Sequence, residues 1–341
     1  MAHERIRGPL QDADALPTWL SAARRARQPR SRTPTLPPVQ AQAELECAED
    51  GSLQSLEGLE RRPPVVSSLC LAAGGARPTA RDVTALTRLD RGAAERVLAV
   101  VRSGLFGPSA DLLDLRSVIS SLGIPEVARL ALGVTVVNAM RVRDRERLRA
   151  HWMEAFLSAS LAKHVIVGRS PRRAPPEREP TVGELWSGAA LQDVGRLVLE
   201  DLHPDYADAV WQRLEITRAT LADVEASLGP VRHAAVGHRF AEDWELPESI
   251  AALCRDHEHR ARTEPELLRE ESPLTALLAG TSRLAALARG RLSARAGERV
   301  RTEACALLAL EMPDALALMH HVVALRDAAQ RLAIALAPVG S

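Results

Sequence analysis

Residues Asp114 to Leu132 read DLRSVISSLGIPEVARLAL, and this stretch decides the fold class. Asp114 is an N-cap residue ahead of Leu115, Val118, Ile119 and Leu122, which recur at helical spacing and mark one buried face. Gly123 supplies the left-handed stop that side-chain-bearing residues resist. Pro125 then opens the next helix, where its missing N–H costs nothing. The same signals continue upstream. Thr79 and Asp82 form a capping box ahead of Val83, Leu86 and Leu89, and a second helix through Ala93, Val97, Leu98 and Val101 ends at Gly104. Downstream, the helix after Leu148 buries Trp152, Phe156 and Leu157. Further helices are predicted over Glu184–Leu202, Asp205–Leu214, Val231–Trp244, Pro247–His259 with Pro247 at the first helical position, Leu274–Leu287 and Pro313–Leu336. No Asn-Gly or Asp-Gly hairpin signal stands between alternating hydrophobics, so no strand is predicted. The expected fold class is all-α.

Composition agrees. The 341-residue chain is long enough to bury its own core, and with aromatics at 3% that core must be built from Leu, Val and Ala. Lys163 is the only lysine, a skew that a GC-rich genome explains more simply than selection for phosphate contacts, so the arginines are discounted individually. The 44 basic residues balance 44 acidic ones, which leaves no long-range field for nucleic acid or an anionic membrane. Cys47, Cys70, Cys254 and Cys305 form no CxxC pair, which argues against a zinc knuckle or a disulfide scaffold. The apolar stretch around Leu130–Val137 is too short to span a bilayer. A cytoplasmic location is expected.

The first residues differ from the rest. Arg24, Arg25, Arg27, Arg30 and Arg32 are punctuated by Pro29, Pro34, Pro37 and Pro38, which reads as a tethered extension over residues 1–57. Leu16, Trp19, Leu20 and Ala23 allow one short amphipathic helix within it. Nucleic-acid binding by the cluster is disfavoured, because no aromatic residues are interleaved with the arginines. Gly168 to Pro180 is too rich in proline and charge to fold and is expected to be a surface loop. Arg141 to Arg149, reading RVRDRERLR, is expected to be a solvated face.

Six segments, taken in order, resemble the HDOD (HD-related output domain) family: LERRPPVV (Leu59–Val66), LTRLDRGAAERVLAVVRSGLFG (Leu86–Gly107), the Asp114–Leu132 stretch, HWMEAFLSASLAKHV (His151–Val165), LQDVGRLVL (Leu191–Leu199) and VRHAAVGHRFAEDWELPESIAALCRDHEH (Val231–His259). The resemblance implies an HD-superfamily helical bundle over residues 58–290. A smaller N-terminal helical lobe would span 58–147 and a degenerate HD lobe 148–290, with a C-terminal helical extension over 291–341.

The parent HD phosphohydrolases bind one or two divalent metals through histidines and aspartates on neighbouring helices, and the metal acidifies a bound water for attack on phosphorus. The resemblance places Glu154 at the first histidine, Gln192 at the histidine of the His-Asp pair, and Thr281 or Ser282 near the final aspartate. Asp193 alone remains of that set, and a neutral amide or hydroxyl is a poor substitute ligand. Asp193 is therefore read as a capping or hydrogen-bonding residue within the bundle, and Gly195 as a close helix approach. His233 and His257 match family histidines. His238, five positions after His233, falls on another helix face.

By resemblance the chain is a non-catalytic regulatory or scaffold protein of bacterial-type signal transduction, acting through contacts with signalling proteins. No cofactor or metal is expected, and a small nucleotide is allowed in the groove of the lost site. The alternative is a residual metal-dependent phosphodiesterase on a nucleotide, using Glu154, Asp193, His233 and His257. No Ser-His-Asp order and no Gly-rich phosphate loop supports another enzyme class.

Overall fold

The computed structural model describes residues 47–59, 62–74, 86, 89, 91–107, 114–168 and 178–337. Among them the only β pairing is an isolated bridge between Cys47 and Leu53; the remaining regular structure is helical. The all-α expectation holds. The N-terminal arginine cluster, the Trp19 segment, the Thr79–Asp82 cap and most of the Gly168–Pro180 loop lie outside the described residues.

The deciding stretch folds as its residues dictate. Helix α3 (Leu115–Leu122) starts at Asp114, whose carboxylate accepts from the Ser117 amide at 2.7 Å while the Ser117 hydroxyl closes a capping box. Gly123 stands at φ 84°, and α4 (Ile124–Asn138) begins directly after it. Before them lie α1 (Pro64–Gly74) and α2 (Arg91–Val100), the latter running into a π turn that ends around Gly104 at φ 89°. This smaller lobe is organised on α4, which packs against both α1 and α2.

The larger lobe centres on α5 (Arg145–Val167), started by Asp144, which accepts from the amides of Glu146 and Arg147. Trp152, Phe156 and Leu157 are buried on it as predicted. The Trp152 indole stacks on Trp186 of α6 (Val182–Leu191), their centroids 5.8 Å apart. The chain then continues through α7 (Val194–Leu202), α8 (Pro204–Thr217), α9 (Leu221–Leu228), α10 (His233–Asp243) and α11 (Glu248–Asp256). It closes with α12 (His259–Thr263), α13 (Pro265–Glu271), α14 (Pro273–Ala288), α15 (Ala294–Leu308) and α16 (Met312–Leu336). Both α14 and α16 pack along α5.

Three details depart from expectation. The predicted Glu184–Leu202 helix is broken: Gln192 and Asp193 form a turn, and Asp193 leaves helical geometry at φ −101°, ψ 16°. Pro247 is the cap residue of α11 rather than its first helical residue, with an extended ψ of 138°. Helices α1, α9, α12, α13 and α15 were not predicted, and α1 starts on the second residue of a proline pair. Helices α9, α12 and α13 are short, and α15 buries only Ala296, Val300, Ala304, Leu307 and Leu308 among arginines and glutamates, a thin apolar signal.

The ordered packing also begins earlier than Gly58. Leu53 is in the core at 4% exposure, and the Arg232 amide donates to the Gly51 carbonyl at 3.0 Å. Arg141 ties this segment to α7, donating to the Gly58 carbonyl at 2.5 Å and to Asp201 at 3.1 Å.

Candidate functional site

The turn between α6 and α7 is held against α10 by a close backbone approach at Gly195. A Cβ on Gly195 would meet the Gly237 amide nitrogen at 2.5 Å, and one on Gly188 would meet Leu278 at 2.5 Å. Gly195 is thus the close-approach residue its context predicted. This contact sets Asp193, at the head of α7, beside His233, the first residue of α10, and His257, at the end of α11.

Asp193 makes no cap with its side chain. Its Oδ1 lies 3.2 Å from His233 Nε2 and 3.4 Å from His257 Nε2, and the two imidazole nitrogens are 3.1 Å apart. His257 Nδ1 faces the Leu253 and Cys254 carbonyls at 3.1 and 2.9 Å and donates there. His233 Nδ1 lies 2.9 Å from both oxygens of buried Glu225. With a carboxylate at each ring nitrogen, His233 donates from both. Burial works against its charged form, but the Glu225 charge beside it and its hydrogen bond to Asp193 push its pKa up to about 10. Burial likewise opposes ionisation of Asp193, yet the rings of His233 and His257 hold its carboxyl well below the usual range.

Glu154 does not join this triad. Its Oε2 accepts from Arg196 Nη1 at 3.1 Å, and its Oε1 pairs with Arg289. Against the cost of burial, Arg289 and Arg196 keep Glu154 ionised. Gln192 is buried with its amide Oε1 lacking a hydrogen-bond partner. Of the two hydroxyls near the final ligand position, Thr281 is committed elsewhere, 2.9 Å from the Ser158 hydroxyl and donating to the Leu277 carbonyl. Ser282 instead lines a cavity of about 120 Å³ together with Glu154, Asp193, Arg196 and His257. His238 turns to the Ala251 carbonyl, away from the triad, as its helix position requires.

Four residues here were not singled out in the sequence. Arg196 follows Asp193 by one helical turn and stands in the centre between Glu154 and the Trp211 ring, its guanidinium carbon 5.5 Å from the ring centroid. Arg289 closes the other side of Glu154. Glu225, on a helix the periodicity did not reveal, orients His233. His151 is fully buried and pushed down to about 4 by that burial, and its Nε2 donates to the Ala190 carbonyl at 2.9 Å. The one signal for Arg196 was its spacing from Asp193. The run expected to be a solvated face is exposed at Arg141, Arg143, Asp144, Arg145 and Glu146, but Arg147 is mostly buried, paired with Asp144, Glu200 and Asp208 and placed over Trp211.

The HD scaffold implies a divalent metal, and these residues do not fit a catalytic one. Asp193, His233 and His257 offer three ligand atoms within 4.8 Å of one another. To bind there, however, an ion would have to displace the Nε2 proton that the Glu225 and Asp193 carboxylates hold on the His233 ring. Glu154 is taken by two arginines, and Gln192 and Ser282, where further ligands were expected, offer only an amide and a hydroxyl.

Comparison with known proteins places this geometry. The model of the HDOD domain matches residues 59–260. An uncharacterized protein of Treponema pallidum (strain Nichols) is 21% identical over 198 residues, 58% of this chain and 36% of that protein. The chain thus matches only about a third of the length of this curated relative. Among solved structures, a Shewanella amazonensis SB2B protein provisionally described as a phosphohydrolase superposes with TM-score 0.59 at 18% identity, covering 83% of this chain and 97% of that one. An HDOD domain protein of unknown function from Geobacter sulfurreducens gives 0.58 at 18% identity over 80% and 93%. A Marinobacter aquaeolei VT8 protein provisionally described as a signal transduction protein gives 0.62 at 19% identity over 82% and 60%. At these identities the superpositions establish a shared fold. The family match spans more than half of the chain, and it makes this protein a member of the HDOD family, the branch of the HD superfamily in which the metal site is degenerate.

Proposed function

We propose that this chain is a non-catalytic regulatory module of a signalling system, working through contacts with signalling proteins. HDOD domains are typically non-catalytic signalling and regulatory modules, and one observation carries the reading for this chain: Glu154, expected at a ligand position, is held by the Arg196 and Arg289 guanidiniums. A guanidinium cannot be deprotonated at working pH and cannot activate a water as a Lewis acid. The phosphodiesterase alternative requires Glu154 as a ligand, and Glu154 is paired with Arg196 and Arg289.

In this reading the domain over residues 58–290 is the regulatory unit, and the 291–341 extension, whose α16 lies along α5, belongs to its stable body. No single helix among the described residues is long and apolar enough to cross a membrane; a cytoplasmic site of action is part of the proposal. The groove beside the triad is proposed to take a small ligand, with a nucleotide as the first candidate.

Two measurements test the proposal. Purification from the native cell at native expression level is expected to recover a signalling protein in stoichiometric ratio. With manganese added, neither cyclic dinucleotides nor simple phosphodiesters are expected to turn over. Turnover abolished by His257→Ala would overturn the reading in favour of an enzyme.

A further inference from the structure

Glu154 is one carboxylate shared by two guanidiniums, and the excess positive charge faces a second cavity. This cavity, about 280 Å³, lies on the outer side of the Glu154 pair; Arg196 and Arg289 line it with Trp211, Leu221, Ala286 and Leu292. Arg218 and Arg291 also border it, so four guanidiniums stand against the two carboxylates of Glu154 and Glu215, leaving two positive charges. Arg218 is fixed there, donating to the Arg291 and Gly290 carbonyls at 3.1 Å each. Arg196 and Arg289 are each mostly buried, with side chains 18% and 11% exposed. Among the described residues each guanidinium hydrogen-bonds to Glu154 alone, which leaves further N–H donors open to the cavity.

Guanidinium donors converging on one cavity favour an anion, and planar forks of this kind match tetrahedral oxyanions. The excess of two charges suits a dianionic group. Bare phosphate would leave the rest of the space, walled by the Trp211 ring and by Leu221, Ala286 and Leu292, unfilled; ligand cavities of this size combine apolar walls with a few convergent polar groups. We propose that this cavity binds a small organic phosphate monoester, its phosphate on Arg196 and Arg289 and its apolar or aromatic body against Trp211 and Leu292. Glu154 is then an internal competitor that holds the two guanidiniums in place when the ligand is absent. The proposal goes beyond the small-ligand part of the regulatory reading, since it concerns a different cavity, and rests on that reading only for what the binding is for.

Calorimetric titration of the full-length protein tests it, with phenyl phosphate, adenosine monophosphate, inorganic phosphate and benzoate as probes. Phenyl phosphate or adenosine monophosphate is expected to bind roughly tenfold or more tighter than either inorganic phosphate or benzoate. The tighter of the two identifies an aryl phosphate or a nucleotide as the better class, and either supports the site. Arg289→Ala is expected to weaken binding by about tenfold or more, and Glu154→Gln, nearly isosteric, to strengthen it by removing the competitor. Thermal melts confirm that each variant is folded; should Arg289→Ala not fold, Glu154→Gln and Trp211→Ala carry the test, the latter weakening the organic phosphates but not inorganic phosphate. Absence of binding by both organic phosphates at millimolar concentration, benzoate binding as tightly as phenyl phosphate, or affinity unmoved by the variants would overturn the proposal. Such a failure leaves partner recovery untouched, so it is distinguishable from failure of the regulatory reading.

Discussion

A Cβ added to Gly195 would lie 2.0 Å from the carbonyl oxygen of His233. The contact is backbone to backbone, so no rotamer change relieves it. Gly195→Ala is therefore expected to destabilise the protein by about 3 kcal/mol, the upper end for overpacking, and to displace α7 from α10. Gly237→Ala, whose Cβ would sit 3.1 Å from the Gly195 nitrogen, should cost less. Urea unfolding of the two variants checks the order; equal stabilities would contradict it.

The charged state of His233 has a direct pH consequence. Its pKa in the folded protein is about 10, above the ordinary 6.5. A raised folded-state value means that the protonated ring contributes stability fully below the ordinary value, and that this contribution is lost as pH rises through about 10. Imidazole nitrogen shifts measured by NMR should show His233 doubly protonated at pH 8. Glu225→Gln should lower its titration midpoint and bring the alkaline loss of stability to lower pH. A His233 ring titrating near the ordinary value in the intact protein would refute the network.

Truncation separates the tail from the fold. Removing residues 1–46 should leave the melting curve close to that of the whole chain, whereas removing residues 1–57 also removes buried Leu53 and the Gly51 contact with Arg232. The second truncation should cost a further 2 kcal/mol or so, the worth of burying one leucine. Identical melts for the two would show that the 47–57 segment adds nothing.

Much of this molecule was legible in the sequence where local chemistry acts alone. Asp114, Gly123 and Pro125 determined a helix end and a helix start by themselves, and Trp152 and Phe156 announced the buried face of α5. The site was legible only as a set of absences. Asp193, His233 and His257 were each identified, but nothing local shows that the helix breaks at Gln192 and turns Asp193 toward the two rings. The break follows from the tertiary contact of Gly195 with α10. Arg196 and Arg289 were invisible for a compositional reason: with nearly every basic residue an arginine, no single one stands out until Glu154 is seen between them. Glu225 was missed because α9 is only eight residues long and weakly periodic.

Arg196 also changes what ligand restoration should achieve. Replacing Glu154→His, Gln192→His and Ser282→Asp returns metal-binding side chains, and the sequence alone would predict a metal site with Asp193. In the structure the same changes leave Arg196 and Arg289 without their shared carboxylate and close to any incoming ion. The triple variant is expected to be less stable and to hold no metal. Adding Arg196→Ala should create zinc binding that Asp193→Ala then abolishes, as followed by competition with a chromophoric chelator. Zinc bound as tightly without the arginine change would show that Arg196 does not oppose the metal.

The central claim is that Asp193, a protonated His233 and His257 form a hydrogen-bonded network, with Glu154 held by Arg196 and Arg289, rather than a metal site. Elemental analysis of the intact protein, purified without chelators from cells supplied with zinc, iron and manganese, tests it most directly. The account predicts metal far below one equivalent per chain, unchanged by His257→Ala. Close to one equivalent of a single metal, lost on His257→Ala or Asp193→Ala, would contradict it.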